Sequence, residues 1–271
     1  MHDTSADRPP VVSTAVALFT IRDDALQVLL VPAGDGTLAL PGTTPRHDEG
    51  LVAAARRVLA EAAGAEDVWL EQLYTFGDPT RNPAHREVAV TWYALVAADR
   101  APAANAADAP AAGDGAARWA PVAALPALAL DHRRIVDYAV QRLRNKLEYT
   151  TVGFQLLPAR FTLGELQRVY EAILGRPLDK RNFRRKVELL GIVRPTREMR
   201  RAGAQRPAQL WRFAATEAPE AIGGPPANTA ATPPVELLRV ARLSPSLRRG
   251  PSRSAVTPPE NPAAPERGSA A

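Results

Sequence analysis

Around residue 131 the chain changes its periodicity and its charge together. Up to Leu130 the apolar residues fall in short alternating runs, and from Asp131 they recur at helical spacing. Residues 1–130 carry 9 Lys/Arg against 16 Asp/Glu, whereas residues 131–213 carry 19 against 8. An acidic, strand-rich part followed by a basic, helical part implies two domains within the 271 residues, the second turned towards a polyanion. The absence of cysteine excludes disulfide frameworks, thiol nucleophiles and thiolate metal sites. Residues 1–10 are polar, with no apolar stretch after a basic start, and no run approaches the length of a membrane span. A cytoplasmic protein without a membrane partner is the expectation.

Residues 1–10 are expected to be disordered. The runs 12–21 and 26–31, separated by Arg22-Asp23-Asp24, suit paired strands. Residues 38–40 lead into the Pro41-Gly42 turn, and Leu51, Ala54, Ala55, Val58, Leu59 and Ala62 mark a helix over 51–63, with Gly64 as its left-handed terminus. Residues 68–76 and 87–97 read as strands around the loop 77–86, and the Ala/Asp/Gly/Pro stretch 101–117 as a flexible loop. Strands with one early helix predict a mixed α/β sandwich over 11–130. Beyond it, Asp131 is positioned to cap a helix to about Tyr149, with Ile135, Val136, Ala139, Leu143 and Leu147 on one face. Thr162 and Glu165 form a capping box in sequence for a helix over 163–174. Gly175-Arg176-Pro177 breaks that helix, and Asp179 caps another to about Leu190. Strand-like runs at 192–197 and 209–213 bracket an arginine-rich loop, so 131–215 reads as a winged helix-turn-helix domain. Residues 216–271, rich in Pro, Ala, Ser and Arg, are expected to be a disordered tail.

The segment from Pro41 to Ala65 carries the chemistry of interest. Glu49 precedes the helix, and Arg57, Val58, Glu61, Ala62 and Gly64 follow. It resembles the Nudix box, G-x5-E-x7-R-E-U-x-E-E-x-G-U (U aliphatic), aligned on Gly64. Thr43 then stands at the opening glycine, Glu49 at the first glutamate, Arg57 at the arginine, and Val58, Glu61 and Ala62 at the helical glutamates. In an intact box those acids share one helix face and hold Mg²⁺ or Mn²⁺, which clamps a diphosphate for attack by water. With two of three replaced by apolar residues, Glu49, Arg57 and Glu61 read as a vestigial box, and no metal or other cofactor is expected. Glu49 and Glu61 also suit solvated surface positions, and Arg57 an i,i+4 pair with Glu61. An aromatic pair beside arginines suits a nucleotide-sugar diphosphate, with a base stacked on rings and phosphates on guanidinium forks. Arg46, Tyr74, Phe76, Arg81 and Arg86 are therefore the candidate effector-binding residues, although the i,i+2 spacing of Tyr74 and Phe76 also suits core positions on a strand.

Residues 180–186 hold five cations and an asparagine in one helical run, Lys180-Arg181-Asn182-Phe183-Arg184-Arg185-Lys186, anchored by Phe183, Val187 and Leu190 at i, i+4, i+7. Arginine suits guanine edges, asparagine suits adenine, and the remaining cations suit phosphates. A solvated basic face is the plainer reading. The candidate DNA-binding set is Thr162, Lys180, Arg181, Asn182, Arg184, Arg185, Lys186, Arg197, Arg200, Arg201 and Arg206.

Over roughly residues 11–213 the chain is similar to the NrtR family, Nudix-related transcriptional regulators of NAD metabolism. The resemblance rests on residues 73–79 (LYTFGDP), Leu130-Asp131-His132, Phe161-Thr162-Leu163 with Glu165-Leu166-Gln167, residues 179–186 (DKRNFRRK), and Arg206-Pro207-Ala208. It implies an N-terminal Nudix-like α/β/α sandwich with a mixed sheet and a C-terminal winged helix. It also implies a homodimeric repressor that binds a palindromic operator in double-stranded DNA near NAD biosynthesis or salvage genes and senses ADP-ribose or a related metabolite. Thr43 and Asn82 depart from the family pattern, which has a glycine and an aspartate there. Two other readings remain at this level: an active Nudix hydrolase (ADP-ribose pyrophosphatase) with an accessory basic domain, and a nucleic-acid binder without sequence preference.

Overall fold

The computed structural model describes residues 9–34, 36–65, 68–101, 105–106, 117–201 and 207–214. The expectations for residues 1–8, for most of the 101–117 loop, for Arg206 and for the tail fall outside them. The chain runs β1 (Val11–Arg22), β2 (Ala25–Ala33), β3 (Thr37–Ala39), β4 (Gly42–Thr43), α1 (Leu51–Ala63), β5 (Trp69–Phe76), β6 (Glu87–Leu95), β7 (Asn105–Ala106) and β8 (Arg118–Pro121). Five helical and strand segments of the basic part follow α2 (His132–Leu147): a 3₁₀ turn (Val152–Leu156), α3 (Leu163–Leu174), α4 (Lys180–Leu189), and the hairpin β9 (Val193–Arg200) and β10 (Ala208–Phe213).

The eight-stranded mixed sheet has the order β5-β6-β1-β2-β8-β7, with β3 on β2 and β4 on β1. Strand β1 is its spine. One edge runs parallel to β6 from Val11↔Glu87 to Phe19↔Leu95. The other edge is divided: Thr14 and Ala15 pair with β4, and Phe19 to Arg22 pair with β2. The division releases the chain between β3 and α1 next to the sheet. Gly42 is required there, since a Cβ at that position would lie 2.9 Å from the Thr14 carbonyl oxygen.

Alternation along β1 places Ala15, Ala17 and Phe19 in one buried cluster and Val16 and Leu18 in another. Both faces are covered, which explains why the strand is apolar at nearly every position. Helix α1 covers the Val16/Leu18 face with Ala55, Val58 and Leu59. It ends on Gly64 at φ 59°, the left-handed terminus expected. Helix α2 covers the opposite face through Ile135, Val136, Ala139, Val140, Leu143 and Leu147.

The same buried cluster continues into the basic part. Leu163, Leu166, Val169, Tyr170 and Ile173 of α3 join it, as do Phe183 and Val187 of α4. Thr162 and Glu165 complete the capping box from both sides, and the Asp179 carboxylate caps α4 by accepting from the Asn182 backbone N–H at 2.8 Å. Two expectations need correction. Asp131 does not cap α2, because its carboxylate is used by Arg81. Strand β9 extends past the expected end at 197 to Arg200, so Arg200 lies on the strand and not in the loop of the wing.

Candidate effector site and nucleic-acid interface

The vestigial box folds into a closed ion pair. Arg57 Nε and Nη2 donate to the two carboxylate oxygens of Glu49 at 2.7 and 2.8 Å, and its Nη1 lies 3.4 Å from Glu61. Glu49 also accepts from the Arg46 backbone N–H at 3.1 Å. These donors, the Arg57 fork first, hold its carboxyl down at about 2 against an ordinary 4.5, while Glu49 in turn raises the Arg57 guanidinium further above its usual range. Val58 is only 6% exposed and belongs to the α1-side core, whereas the Glu61 side chain is 55% exposed. Among the described residues no three His, Asp or Glu side chains converge as metal ligands do. A Nudix metal does not fit these residues: of the three helix positions that hold it in an intact box, 58 is a core valine and 62 an alanine, which leaves the exposed Glu61 alone.

A second network pins the loop between β5 and β6 to α2. The Arg81 side chain is 1% exposed. It donates to Asp131 through Nη2 at 2.8 Å and Nε at 3.2 Å, and its Nη1 forms an ion-pair contact with Glu87 at 2.7 Å. Glu87 also accepts from the Ser13 hydroxyl and from Asn82 Nδ2. Burial pushes the Glu87 carboxyl up, but the hydrogen bonds from Ser13, Asn82 and Arg81 outweigh it and leave the group below its usual range. Beside it, His132 Nδ1 accepts from the Leu40 backbone N–H at 3.0 Å, and burial lowers its pKa, so the ring is neutral.

Aromatic rings lie on the α2 side of this network. Tyr74 on edge strand β5 is 52% exposed and Tyr138 on α2 is 44% exposed. Their ring centroids are 5.3 Å apart, and both rest on Phe76, at 5.4 and 6.0 Å. The Arg134 guanidinium lies over Phe76 at 5.9 Å. Arg134 also borders a cavity of about 480 Å³ lined by Asp78, Thr80, Arg81, Pro83, Leu130 and Asp131. Asp78 accepts from the Thr80 hydroxyl and backbone N–H at 2.7 and 2.9 Å, which keep its carboxyl ionised with help from Arg134 and Arg86.

Of the expected effector residues, Tyr74 is displayed, whereas Phe76 is core at 5% exposure. Arg81 is the clearest correction: buried and held by two carboxylates, it is part of the framework and has no fork to offer a phosphate. Arg86 is exposed and donates to the Glu87 carbonyl at 2.9 Å. Arg46 is exposed beside the Glu49–Arg57 pair on the α1 side, away from the rings on α2. Tyr138 and Arg134 were not among the expected residues. Their i,i+4 placement on the polar face of a helix that starts just after the Leu130-Asp131-His132 segment was the signal available in the sequence.

In the basic part, Lys180, Arg181, Asn182, Arg184 and Arg185 are all exposed, with Arg181, Asn182 and Arg185 on the face of α4 away from Phe183 and Val187, and Lys186 is half-buried. Arg197 and Arg201 are exposed along β9 and at its end. Thr162 spends its hydroxyl oxygen on the α3 cap. Arg200 departs from expectation, since it donates to Glu165 at 2.6 Å and to the Arg160 carbonyl at 3.0 Å and so braces the wing against α3. Helix, turn, exposed basic helix and hairpin have the arrangement of a winged helix that offers α4 to a duplex.

Two family models match, the NUDIX domain over residues 12–139 and the NrtR DNA-binding winged helix domain over residues 153–213. An Acinetobacter baylyi protein described as an ADPR responsive transcriptional repressor, NtrR, is 35% identical over 213 residues, which is 76% of this chain and 82% of that protein. The structure is similar to that of Shewanella oneidensis NrtR complexed with a 27mer DNA, at 32% identity and a TM-score of 0.65 over 75% of this chain and 93% of that one. A MutT/nudix family protein from Enterococcus faecalis shares the fold at 22% identity and a TM-score of 0.59, over 77% and 90% of the two chains. With a Nudix sandwich and an NrtR winged helix joined in one chain, and a relative above 30% identity matched over most of its length, this protein belongs to the NrtR family of Nudix-related transcriptional regulators.

Proposed function

We propose that this chain is a DNA-binding repressor of NAD biosynthesis or salvage genes, whose Nudix-like domain senses ADP-ribose or a related NAD metabolite and has no pyrophosphatase activity. The observation that carries this reading is the buried valine at 58, with alanine at 62, in place of metal-holding acids, in a chain that also exposes the basic face of α4. Glu61 is the one helical acid left, and Arg57 engages both oxygens of the loop carboxylate Glu49, which supports a pocket framework without the acids for hydrolysis. The ADP-ribose responsiveness in the name of the Acinetobacter relative supports the choice of effector, and the DNA complex of Shewanella NrtR supports the choice of partner.

In this reading the protein works in the cytoplasm as a homodimer on a palindromic operator. Its Nudix-like domain spans 11–130 and its winged helix domain 131–215, with α2 shared, because its apolar face meets both the sheet and α3. Two recognition helices reading half-sites about 34 Å apart tolerate little change in spacing. An effector that favours a mismatched spacing by about 3 kcal/mol lowers operator affinity by more than a hundredfold.

The test is a gel-shift titration of the full chain on the upstream region of its own gene, with and without ADP-ribose, alongside an assay for AMP release with Mg²⁺. A specific complex whose affinity changes with ADP-ribose is expected, with no AMP formed. Turnover that Glu61→Gln abolishes would make the protein a hydrolase. Binding that ignores sequence and has a steep salt slope would make it a general nucleic-acid binder.

A further inference from the structure

We propose that Tyr138 and Arg134 on α2, together with Tyr74 on β5, form the nucleotide subsite of the sensor: the two tyrosines stack the base and Arg134 holds a phosphate. The proposal rests on reading the Nudix-like domain as a nucleotide sensor, and it goes further by saying which surface does the sensing.

Tyr74 and Tyr138 touch each other, yet each residue stays about half exposed, at 52% and 44%. Beneath them Phe76 is 5% exposed and fixed in the core, so the platform is firm as well as open. Exposed rings held at one place by buried neighbours suit stacking, which costs little when the rings are already ordered. Arg134 makes no carboxylate ion pair among the described residues and extends over Phe76, at the border between the rings and the cavity. A guanidinium in that position bridges a stacked base and the phosphate attached to it.

The cavity supports a nucleotide over a second copy of the chain. Its volume of about 480 Å³ lies within the range of small-ligand sites. Its walls offer one ionised acceptor, Asp78, and one available cation, Arg134, rather than a continuous apolar rim. An ionised carboxylate accepts from a ribose diol while the arginine takes the phosphate. Arg81 and Asp131 satisfy each other underneath and shape the floor.

The subsite also has a route to the DNA-binding part. Tyr138 and Arg134 project from the same helix whose Arg144 donates to the Ile173 carbonyl of α3 at 2.8 Å. A ligand that draws the exposed face of α2 towards β5 thus acts on the helix that carries the winged helix core.

The experiment is calorimetric titration of ADP-ribose into the full chain and into Tyr138→Ala, Tyr74→Ala, Arg134→Gln and Tyr138→Phe, with DNA binding in the absence of effector as the check on folding. Loss of one stacking partner or one charged contact is expected to weaken ADP-ribose about tenfold in the first three, while Tyr138→Phe stays within about twofold of wild type. If the wild-type chain binds no ADP-ribose, the sensor reading itself fails. If the wild type binds and the first three variants bind equally well, the sensor stands and this placement is wrong. A change in sedimentation with unchanged ADP-ribose affinity would make the rings a contact between copies of the chain and would likewise overturn the proposal.

Discussion

Two arginines, Arg57 on a helix and Arg81 in a loop, have different duties, and each can be tested by removing a single charge. Arg57 sits in a fork with Glu49 at the protein surface, and its contribution depends on the carboxylate staying ionised. Because the Glu49 carboxyl is held at about 2 and not 4.5, the pair's stabilisation is complete above 4.5 and is lost as pH falls towards 2. Glu49→Gln is therefore expected to lower the melting temperature near neutral pH. Its deficit should shrink steadily as the pH of the melts is taken down through that window, and a deficit independent of pH would remove the ion pair as its cause. Arg81, by contrast, is enclosed, with a side chain 1% exposed between Asp131 and Glu87. Removing one member of a buried charge cluster leaves the others unpaired, at a cost of about 3–5 kcal/mol. Arg81→Met should show that loss in chemical denaturation, and a loss below about 1 kcal/mol would mean that water reaches the carboxylates freely. Sequence alone distinguished neither duty. Arg57 and Glu49 were in register with a known motif, but the motif specifies spacing and not which acid the arginine faces. Arg81 looked available because it lies in a Pro/Asn-rich loop, and its partner Asp131 is fifty residues away.

At the level of elements, the readable features were those with a local physical cause. The α3 capping box, the Asp179 cap of α4, the left-handed Gly64 and the Phe183/Val187 anchor all lie within one helix and its ends, where periodicity and capping chemistry act. Asp131 was read wrongly by the same logic. It has the right residue type just before a helix, but a buried guanidinium offers a charged hydrogen bond that a backbone cap does not match. Arg200 was misplaced for a related reason: a hairpin's length is set by its partner strand, and β10 pairs Ala208 with Arg200. This difference has a consequence for DNA binding. Lys180 and Arg185 are exposed on α4, so Lys180→Ala and Arg185→Ala should each reduce the slope of log affinity against log salt by about one. Arg200 is occupied by Glu165 and the Arg160 carbonyl, so Arg200→Ala should leave that slope unchanged. A slope reduced equally by all three variants would return Arg200 to the DNA contacts.

For the molecule as a whole, the decisive fact is that the basic part has no separate core. One buried cluster runs from Ala17 and Phe19 in the sheet, through Ile135, Ala139 and Leu143 of α2, to Leu166, Ile173 and Phe183. The abrupt change of charge at residue 131 suggested two bodies, because charge records what a surface faces and not where a core ends. Helix α2 belongs to both sides of that boundary, and a stripe of apolar residues looks the same whether it meets one neighbour or two. Sharing a core has a thermodynamic signature. Leu143 is fully buried within the cluster, and Leu143→Ala should cost about 2–5 kcal/mol through lost contact and cavity formation. If the cluster makes one cooperative unit, that loss appears equally in the sheet and in the winged helix. The four tryptophans allow this to be followed, since Trp69, Trp92 and Trp119 lie in the sheet while Trp211 lies in β10. A variant retaining Trp211 alone and one retaining Trp119 alone should unfold at the same denaturant midpoint, and Leu143→Ala should shift both midpoints together. Were Trp211 to report a separate, earlier transition that Leu143→Ala left in place, the two halves would be independent bodies, and a signal from the Nudix-like domain would need a path other than the packed face of α2.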